Sequence, residues 1–418
     1  MDVIIQPGLL QGKIAAIPSK SQAHRLLICA AFADNATTLV CPETNRDIEA
    51  TADCLRRLGA DIVRTAQGYS IKPIQKAPES AILNCCESGS TLRFMLPIVG
   101  ALGVDTVFQM EGRLPQRPLS PLWEEMERMG CCLSRPTPDT IRCGGRLKAG
   151  NYSIDGGVSS QFITGLLFAL SLIPGDSHLE VTGKVESRPY IEMTQKAMAL
   201  FGAPRYHSPG ELTVEGDWSN GAFFLAAKTL GNDIEIMNLS PDSPQGDRAC
   251  AEILPKLQEN IMISAADIPD LVPILAVTAG AKQGAVFTDI QRLRLKESDR
   301  VASVIAMIEA LGGKAEATEG TLTVYGTGYS GGTVDAVNDH RIAMAAAIAA
   351  TVCTEPVTIL GAECVKKSYP AFWAEYERLS HHSCHCEPVR RLVWQSPGTS
   401  DRYNPQGDSH VSVSTGSE

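Results

Sequence analysis

Ser19-Lys20-Ser21-Gln22-Ala23-His24-Arg25 stands directly before the apolar run Leu26-Leu27-Ile28-Cys29-Ala30-Ala31. In a helix, Ser21 and Arg25 are four apart and share a face, with Lys20 at the entrance. A hydroxyl, an ammonium and a guanidinium at one helix start suit a ligand bearing a carboxylate plus a phosphate. Arg grips planar anions with two N–H groups, whereas Lys acts as a point charge. Comparable sets recur along the chain. Gly89, whose N–H can approach a ligand, precedes Arg93 by about one turn, and Arg113 and Arg117 sit on a Pro-bounded loop. Ser159-Ser160-Gln161 and Ser187-Arg188-Pro189-Tyr190 add hydroxyls. The second half contributes Asp270, the trio Lys296, Glu297 and Arg300, the pair His340-Arg341, and Lys366-Lys367.

The inventory is cations and hydroxyls, with a few carboxylates able to move protons. It contains no P-loop, no GxGxxG fingerprint, no Ser–His–Asp order signal and no metal-ligand spacing. The expectation is therefore chemistry without cofactor or metal, on small substrates carrying several negative charges. Any one of these cations alone reads as a solvated surface group. Their clustering at unit boundaries carries the argument.

Those boundaries come from a repeat. Leu55–Val63, Met126–Ser134, Met198–Tyr206 and Ile308–Glu316 each read as the end of an amphipathic helix, a Gly (Gly59, Gly130, Gly202, Gly312), then a strand. A turn and a second strand are expected after each, at GYSIK, DTIRC, ELTVE and GTLTVYG. A weaker copy, LPKLQENIMI, has Asn260 in the Gly position. The markers fall roughly 50–72 residues apart, so each unit is a small subdomain rather than a solenoid repeat. A second helix type keeps the same beat, in segments opening SKSQAHR at 19, ESGSTLR at 87, SSQF at 159, DWSN at 217, IPDL at 268 and NDHR at 338. Each opens polar and becomes apolar nearly all round, which marks a buried helix. Six units follow, each with one buried helix, one amphipathic outer helix and a small sheet. Ser, Asp and Asn at such starts are ordinary N-caps. Six in register, several with Arg or Lys, also make converging anion sites from free N–H groups and helix dipoles.

The 418 residues, 44% hydrophobic and 20% charged, favour two domains. The boundary is placed near 214–220, with the strand Asp2–Pro7 free to pair in either half. A net charge of −10 and 6% aromatics disfavour a nucleic-acid binder. No segment has the apolar length of a membrane span and no signal peptide stands at the start, so the expected compartment is the cytoplasm. The 13 cysteines lack a zinc-type CxxC repeat and read as reduced packing residues. Residues 381–418 have no apolar periodicity and read as a disordered tail. Its His381–Cys386 cluster has metal-ligand residue types but no second group at finger spacing.

The motifs PSKSQAHR, SGSTLRF, Arg117-Pro118, SSQF, RPYI, IPD, LRLKESDR, NDHRIAM and KKSYP, in this order over about residues 1–380, resemble those of the EPSP (5-enolpyruvylshikimate-3-phosphate) synthase family. The resemblance implies an α/β fold of two similar domains, each of three βαβαββ units with buried parallel helices, an inside-out α/β barrel of the enolpyruvyl transferase kind. It implies a lower domain at 18–215 for shikimate 3-phosphate, and an upper domain at 1–17 plus 216–380 for phosphoenolpyruvate. Carried over by position, Ser21 and Arg25 hold the shikimate carboxylate. Ser159, Ser160, Ser187 and Tyr190 hold its phosphate, and Gln161 lies between the two substrates. Lys20, Arg117 and Lys367 surround the phosphoenolpyruvate phosphate with Gly89 close by, and Arg300 and Arg341 clamp its carboxylate. Asp270 and Lys296 contact the shikimate hydroxyls. The implied reaction is addition–elimination through a tetrahedral ketal, with Asp270 as base and Glu297 or Lys20 as proton donor. A monomer acting on these two small molecules, with neither nucleic acid nor membrane as partner, completes the expectation.

Three departures stand out. Glu87 replaces a common Asn, Arg292 replaces a common Asn, and the tail has no counterpart. UDP-N-acetylglucosamine enolpyruvyl transferase is the nearest alternative, but Ser21 follows Lys20 and the loop Glu111–Ser120 has no Cys. A catalytically silent anion-binding homologue is the other, and Lys20, Asp270 and Glu297 are all present.

Overall fold

Six nearly all-apolar helices form the inner framework of the computed structural model, which describes residues 1–381 and 393–395. They are α1 (Lys20–Ala31), α3 (Gly89–Leu102), α5 (Ser160–Leu172), α7 (Trp218–Thr229), α9 (Val272–Gly280) and α11 (His340–Ala349). The outer set is α2 (Arg46–Arg57), α4 (Leu122–Arg128), α6 (Arg188–Leu200), the short α8 (Cys250–Ile253), α10 (Arg300–Ala310) and α12 (Phe372–His381). Five of the inner helices are capped by a side chain accepting from a first-turn N–H: Ser19, Ser88, Ser159, Asp217 and Asp339. α9 instead begins after Leu271 with Pro273 in its first turn, where a missing N–H costs nothing. The cap and the anion-site interpretations therefore coexist. The cap residue closes each helix; of the residues just after it, Lys20, Gly89 and Ser160 line one pocket, whereas Trp218 and His340 are buried.

The apolar surface divides into two cores. One is assembled from residues between Ala23 and Val214. The other combines Val3–Ile17 with residues from Trp218 to Leu379. The two chain crossings between them run side by side: Pro18 bridges Gly216, Ser19 N donates to Glu215 O at 2.8 Å, and Asp217 N to Ile17 O at 2.8 Å. Gln245 ties both crossings, its Oε1 accepting from Ser19 Oγ and from Trp218 N.

The sheet pattern repeats across the cores. Ser80–Asn84 lies parallel to Asp105–Gln109, followed antiparallel by Thr140–Gly145 and Cys131–Ser134. Ile261–Ser264, Gly284–Thr288, Thr321–Tyr325 and Lys314–Ala317 follow the same order and sense. Other units complete the pattern with borrowed strands. Asp2–Ile5 pairs with Val357–Leu360 of the last unit.

Three repeat expectations need correction. After Gly202 there is no first strand: residues 203–206 form a turn containing Pro204, which cannot donate to a ladder. The single strand Glu211–Thr213 pairs instead with Thr37–Val40 of the first unit. The weak fifth copy is broken into 3₁₀ turns around α8, where Pro255 interrupts the helix. The sixth outer helix is α12, which the Gly marker does not flag because the next glycine after it in the sequence is Gly398. In the 381–418 tail, His381 closes α12 and Val393–Gln395 pairs antiparallel with Asp2–Ile4, so those four residues depart from the disordered expectation. The rest of the 382–418 tail, including Cys384 and Cys386, lies outside the described residues. The described cysteines are all free, and all but Cys86 and Cys132 are buried. Among the described residues no helix is long and apolar enough to cross a membrane.

Candidate active site

The starts of α1, α3 and α5 open onto one cleft, whose far wall is the segment leading into α10 together with Asp270. Lys20, Ser21, Arg25, Gly89, Arg117, Ser159, Ser160, Gln161, Ser187, Tyr190, Asp270, Lys296 and Glu297 all line it. Arg300, Arg341 and Lys367 do not line it; they lie behind its wall with side chains 1%, 4% and 10% exposed. The folding logic is local. A polar residue just past an N-cap cannot join the apolar helix face, so it points out of the helix end.

Arg300, Arg341, Lys296, Lys20, Lys367 and Arg117 each have a carboxylate partner. Arg300 reaches three: Nε to Asp339 Oδ2 at 2.9 Å, Nη1 to Asp270 Oδ1 at 2.6 Å and Nη2 to Glu297 Oε2 at 2.6 Å. Arg341 Nη2 donates to Asp270 Oδ2 at 3.2 Å, and Lys296 Nζ lies 3.4 Å from Asp270 Oδ1. Lys20 Nζ pairs with Asp47 at 3.0 Å, and Lys367 Nζ with Glu87 at 2.7 Å. Arg117 Nη1 lies 3.9 Å from Glu297 Oε1.

These contacts set the protonation states. Burial opposes the Asp270 carboxylate, yet Arg341, Lys296 and Arg300 outweigh it and hold its pKa well below the usual range. Glu297 is likewise held well below, with Arg300 and Arg117 overcoming burial. For Lys20 burial is outweighed by Asp47 and Glu297, so its pKa is raised. Lys296 is the contrast: burial wins over Asp270 and its pKa falls to about 8. Asp247, buried and repelled by Asp270, is pushed up to about 6.

On the opposite wall Arg25 is nearly spent on the protein. Nε donates to Thr194 Oγ1 at 2.8 Å, Nη1 to Ser21 O at 2.6 Å and Nη2 to Tyr190 O at 2.9 Å. The Tyr190 hydroxyl donates to Asp247 Oδ2 at 3.3 Å. Gln161 accepts from Arg93 Nη1 at 2.7 Å and donates to Ser90 Oγ at 2.9 Å. Gly89 lets Arg117 approach closely: a Cβ there would lie 2.5 Å from Arg117 Nη1. Any side chain would move that guanidinium.

Sequence reasoning missed Asp47 and gave no role to Arg93 or Asp339. Asp47 sits one residue inside α2 and has no local motif; only its contact with Lys20 singles it out. Asp339 lies within NDHR, from which only His340 and Arg341 were singled out. His340 is buried, its pKa is driven down to about 3 chiefly by burial and by Lys20, and among the described residues neither ring nitrogen has a partner. His24 is a core residue, 2.7 Å from Thr51 Oγ1 and edge-on to Phe94.

The arrangement is a mouth of cations and hydroxyls facing an ionised Asp–Glu pair, with one lysine poised near neutrality. It can bind multiply charged anions, take a proton from a hydroxyl and stabilise a departing phosphate. Comparison with known proteins adds a lineage. Residues 4–376 match the family model of EPSP synthase (3-phosphoshikimate 1-carboxyvinyltransferase). The 3-phosphoshikimate 1-carboxyvinyltransferase of Clostridium kluyveri is 37% identical over 417 residues, covering 90% of this chain and 97% of that protein. The enzyme of the same name from Clostridium acetobutylicum is also 37% identical, over 414 residues, with the same coverage. EPSP synthase from Acinetobacter baumannii superposes with a TM-score of 0.73 at 23% identity, over 91% of this chain and 98% of that one. The enolpyruvyl transferase NikO from Streptomyces tendae gives 0.67 at 16%, over 90% and 97%. These two structures speak to the fold alone.

Proposed function

The chain belongs to the EPSP synthase family, and from that premise we propose that it transfers the carboxyvinyl group of phosphoenolpyruvate to the 5-hydroxyl of 3-phosphoshikimate. The observation that carries the reading is Asp270, an ionised carboxylate gripped by Lys296, Arg300 and Arg341 across a cleft from Ser159, Ser160 and Ser187. Asp270 takes the hydroxyl proton as that oxygen attacks C2 of phosphoenolpyruvate and C3 gains a proton. The resulting ketal then loses the C3 proton as its C2–O bond to phosphate breaks, giving the enol ether and inorganic phosphate. Of the two donors considered, Lys20 is the better supported: it keeps its proton, whereas Glu297 is held as carboxylate. Lys20, Arg117 and Lys367 take the donor's phosphate, and Arg300 and Arg341 its carboxylate. Ser21 and Arg25 take the acceptor's carboxylate, while Ser159, Ser160, Ser187 and Tyr190 take its phosphate. Asp270 and Lys296 meet the acceptor hydroxyls, with Gln161 between the substrates and Gly89 beside the donor. The two cores act as domains, 18–215 and 1–17 plus 216–380, in a cytoplasmic monomer.

The direct test is phosphate release. Purified protein should release phosphate from phosphoenolpyruvate with 3-phosphoshikimate as acceptor and not with UDP-N-acetylglucosamine; the reverse pattern would replace this reading.

A pH profile tests the cleft's electrostatics. With its pKa lowered to about 8, Lys296 loses its charge above that pH. kcat/KM for 3-phosphoshikimate should decline through about pH 8, and Lys296→Arg should move the decline beyond about pH 10, because a guanidinium stays protonated there. A wild-type profile level to about pH 10 would remove the Lys296 charge from the mechanism.

A further inference from the structure

Arg292 is the cleft cation whose position does not follow from the repeat. It sits in the 3₁₀ turn Gln291–Leu295, just before Lys296. Its side chain, 12% exposed, crosses to the opposite wall, where Nη1 donates to Ser187 Oγ at 3.0 Å and lies 3.5 Å from Glu186 Oε2. Ser187 opens α6 in the left-handed region at φ 55°, its N–H donating to Ala266 O at 3.0 Å. That serine is therefore held by groups 79 and 105 residues away. Among the described residues, Nε and Nη2 of Arg292 have no acceptor. Arg93 and Lys296 both feel its charge as a repulsion. The guanidinium thus stands near two other cleft cations with two donors in hand, beside a hydroxyl at a helix start. Glu186 is its one close carboxylate.

We propose that Arg292 is a phosphate-recognition residue supplied from the far wall: Nε and Nη2 grip the acceptor's phosphomonoester dianion while Nη1 stays on Ser187. This rests on reading Ser159, Ser160 and Ser187 as the acceptor's phosphate site. A planar guanidinium matches two phosphate oxygens at once, whereas a neutral amide at this position can offer hydrogen bonds without charge. Glu186 holds the guanidinium in place and competes with the phosphate for it. Arg292 accordingly discriminates phosphorylated from unphosphorylated acceptors by charge, as well as joining the two walls when the acceptor binds.

The test begins with the wild-type assay above, whose failure would refute the underlying reading rather than this role. With that assay positive, Arg292→Gln should raise KM for 3-phosphoshikimate about 10- to 100-fold, the range of a charge-assisted hydrogen bond. KM for phosphoenolpyruvate and the dissociation constant of unphosphorylated shikimate should stay within about threefold, and Arg292→Lys should recover part of the loss. Glu186→Gln should act in the opposite direction and lower KM for 3-phosphoshikimate, because the competing carboxylate is gone. An Arg292→Gln enzyme with unchanged KM for 3-phosphoshikimate, or one that weakens shikimate equally, overturns the proposal. If Arg292→Gln fails to fold, Glu186→Gln decides: a KM unchanged or raised overturns it.

Discussion

Asp270→Asn should lower turnover about 10³-fold or more while leaving both substrates able to bind, within the range by which a positioned general base accelerates a reaction. The amide keeps the shape of the carboxylate, so the loss reports charge and basicity. Asp270 accepts from Arg300 and Arg341 and faces Lys296, and it is the group that most opposes burial in keeping Lys296 protonated. Its neutralisation therefore removes the proton acceptor and also pushes the neighbouring lysine further towards its neutral form. Anion binding should survive, because the three cations remain and one competing carboxylate is gone. Phosphate release gives the rate and calorimetry gives the two dissociation constants. Turnover within tenfold of wild type would take Asp270 out of the chemistry. Loss of binding together with turnover would make it a structural residue.

The second large effect concerns stability. Arg300→Met should cost about 3–5 kcal/mol, the penalty for leaving a buried charge without its partner. Asp339 carries the argument: its side chain is 0% exposed and its Oδ2 accepts from Arg300 Nε at 2.9 Å and from Ser298 Oγ at 3.0 Å. The methionine chain fills much of the space but cannot neutralise Asp339. Adding Asp339→Asn should restore more than half of the loss, since the orphaned charge goes and Asn remains a good N-cap for α11. Urea unfolding followed by tryptophan fluorescence would read this, because Trp218 and Trp373 lie in the same core as α10. A double variant no more stable than Arg300→Met would show that packing, and not the unpaired carboxylate, sets the cost.

Both predictions rest on pairings that run between distant parts of the chain, and this is where legibility in the sequence ended. The motifs picked out cations clustered at the unit boundaries. They did not say what each cation touches. Arg300 and Arg341 turn onto Asp270, and Lys367 onto Glu87, contacts spanning 30, 71 and 280 residues. Glu87 and Arg292, flagged only as departures from a family pattern, prove to make long-range contacts, Glu87 with Lys367 behind the cleft wall and Arg292 with Ser187 across the cleft.

The sequence alone determined the periodic features. Apolar residues on every face specified six buried helices, Ser and Asp at their starts specified the caps of five, and Gly59, Gly130 and Gly312 after amphipathic runs specified strand turns. All of these are local: they depend on residues within one or two helical turns, where spacing and conformation are tied together. The tertiary structure decided which carboxylate answers which cation, and through that the protonation of Lys20, Asp270, Lys296 and Glu297. Electrostatic pairing acts through space and depends on burial, and both arise only when the helix mouths converge. Lys20 and Lys296 are indistinguishable as residues in the sequence. In the folded chain one is held charged by Asp47 and Glu297, and the other, more weakly compensated for burial, is poised near neutrality.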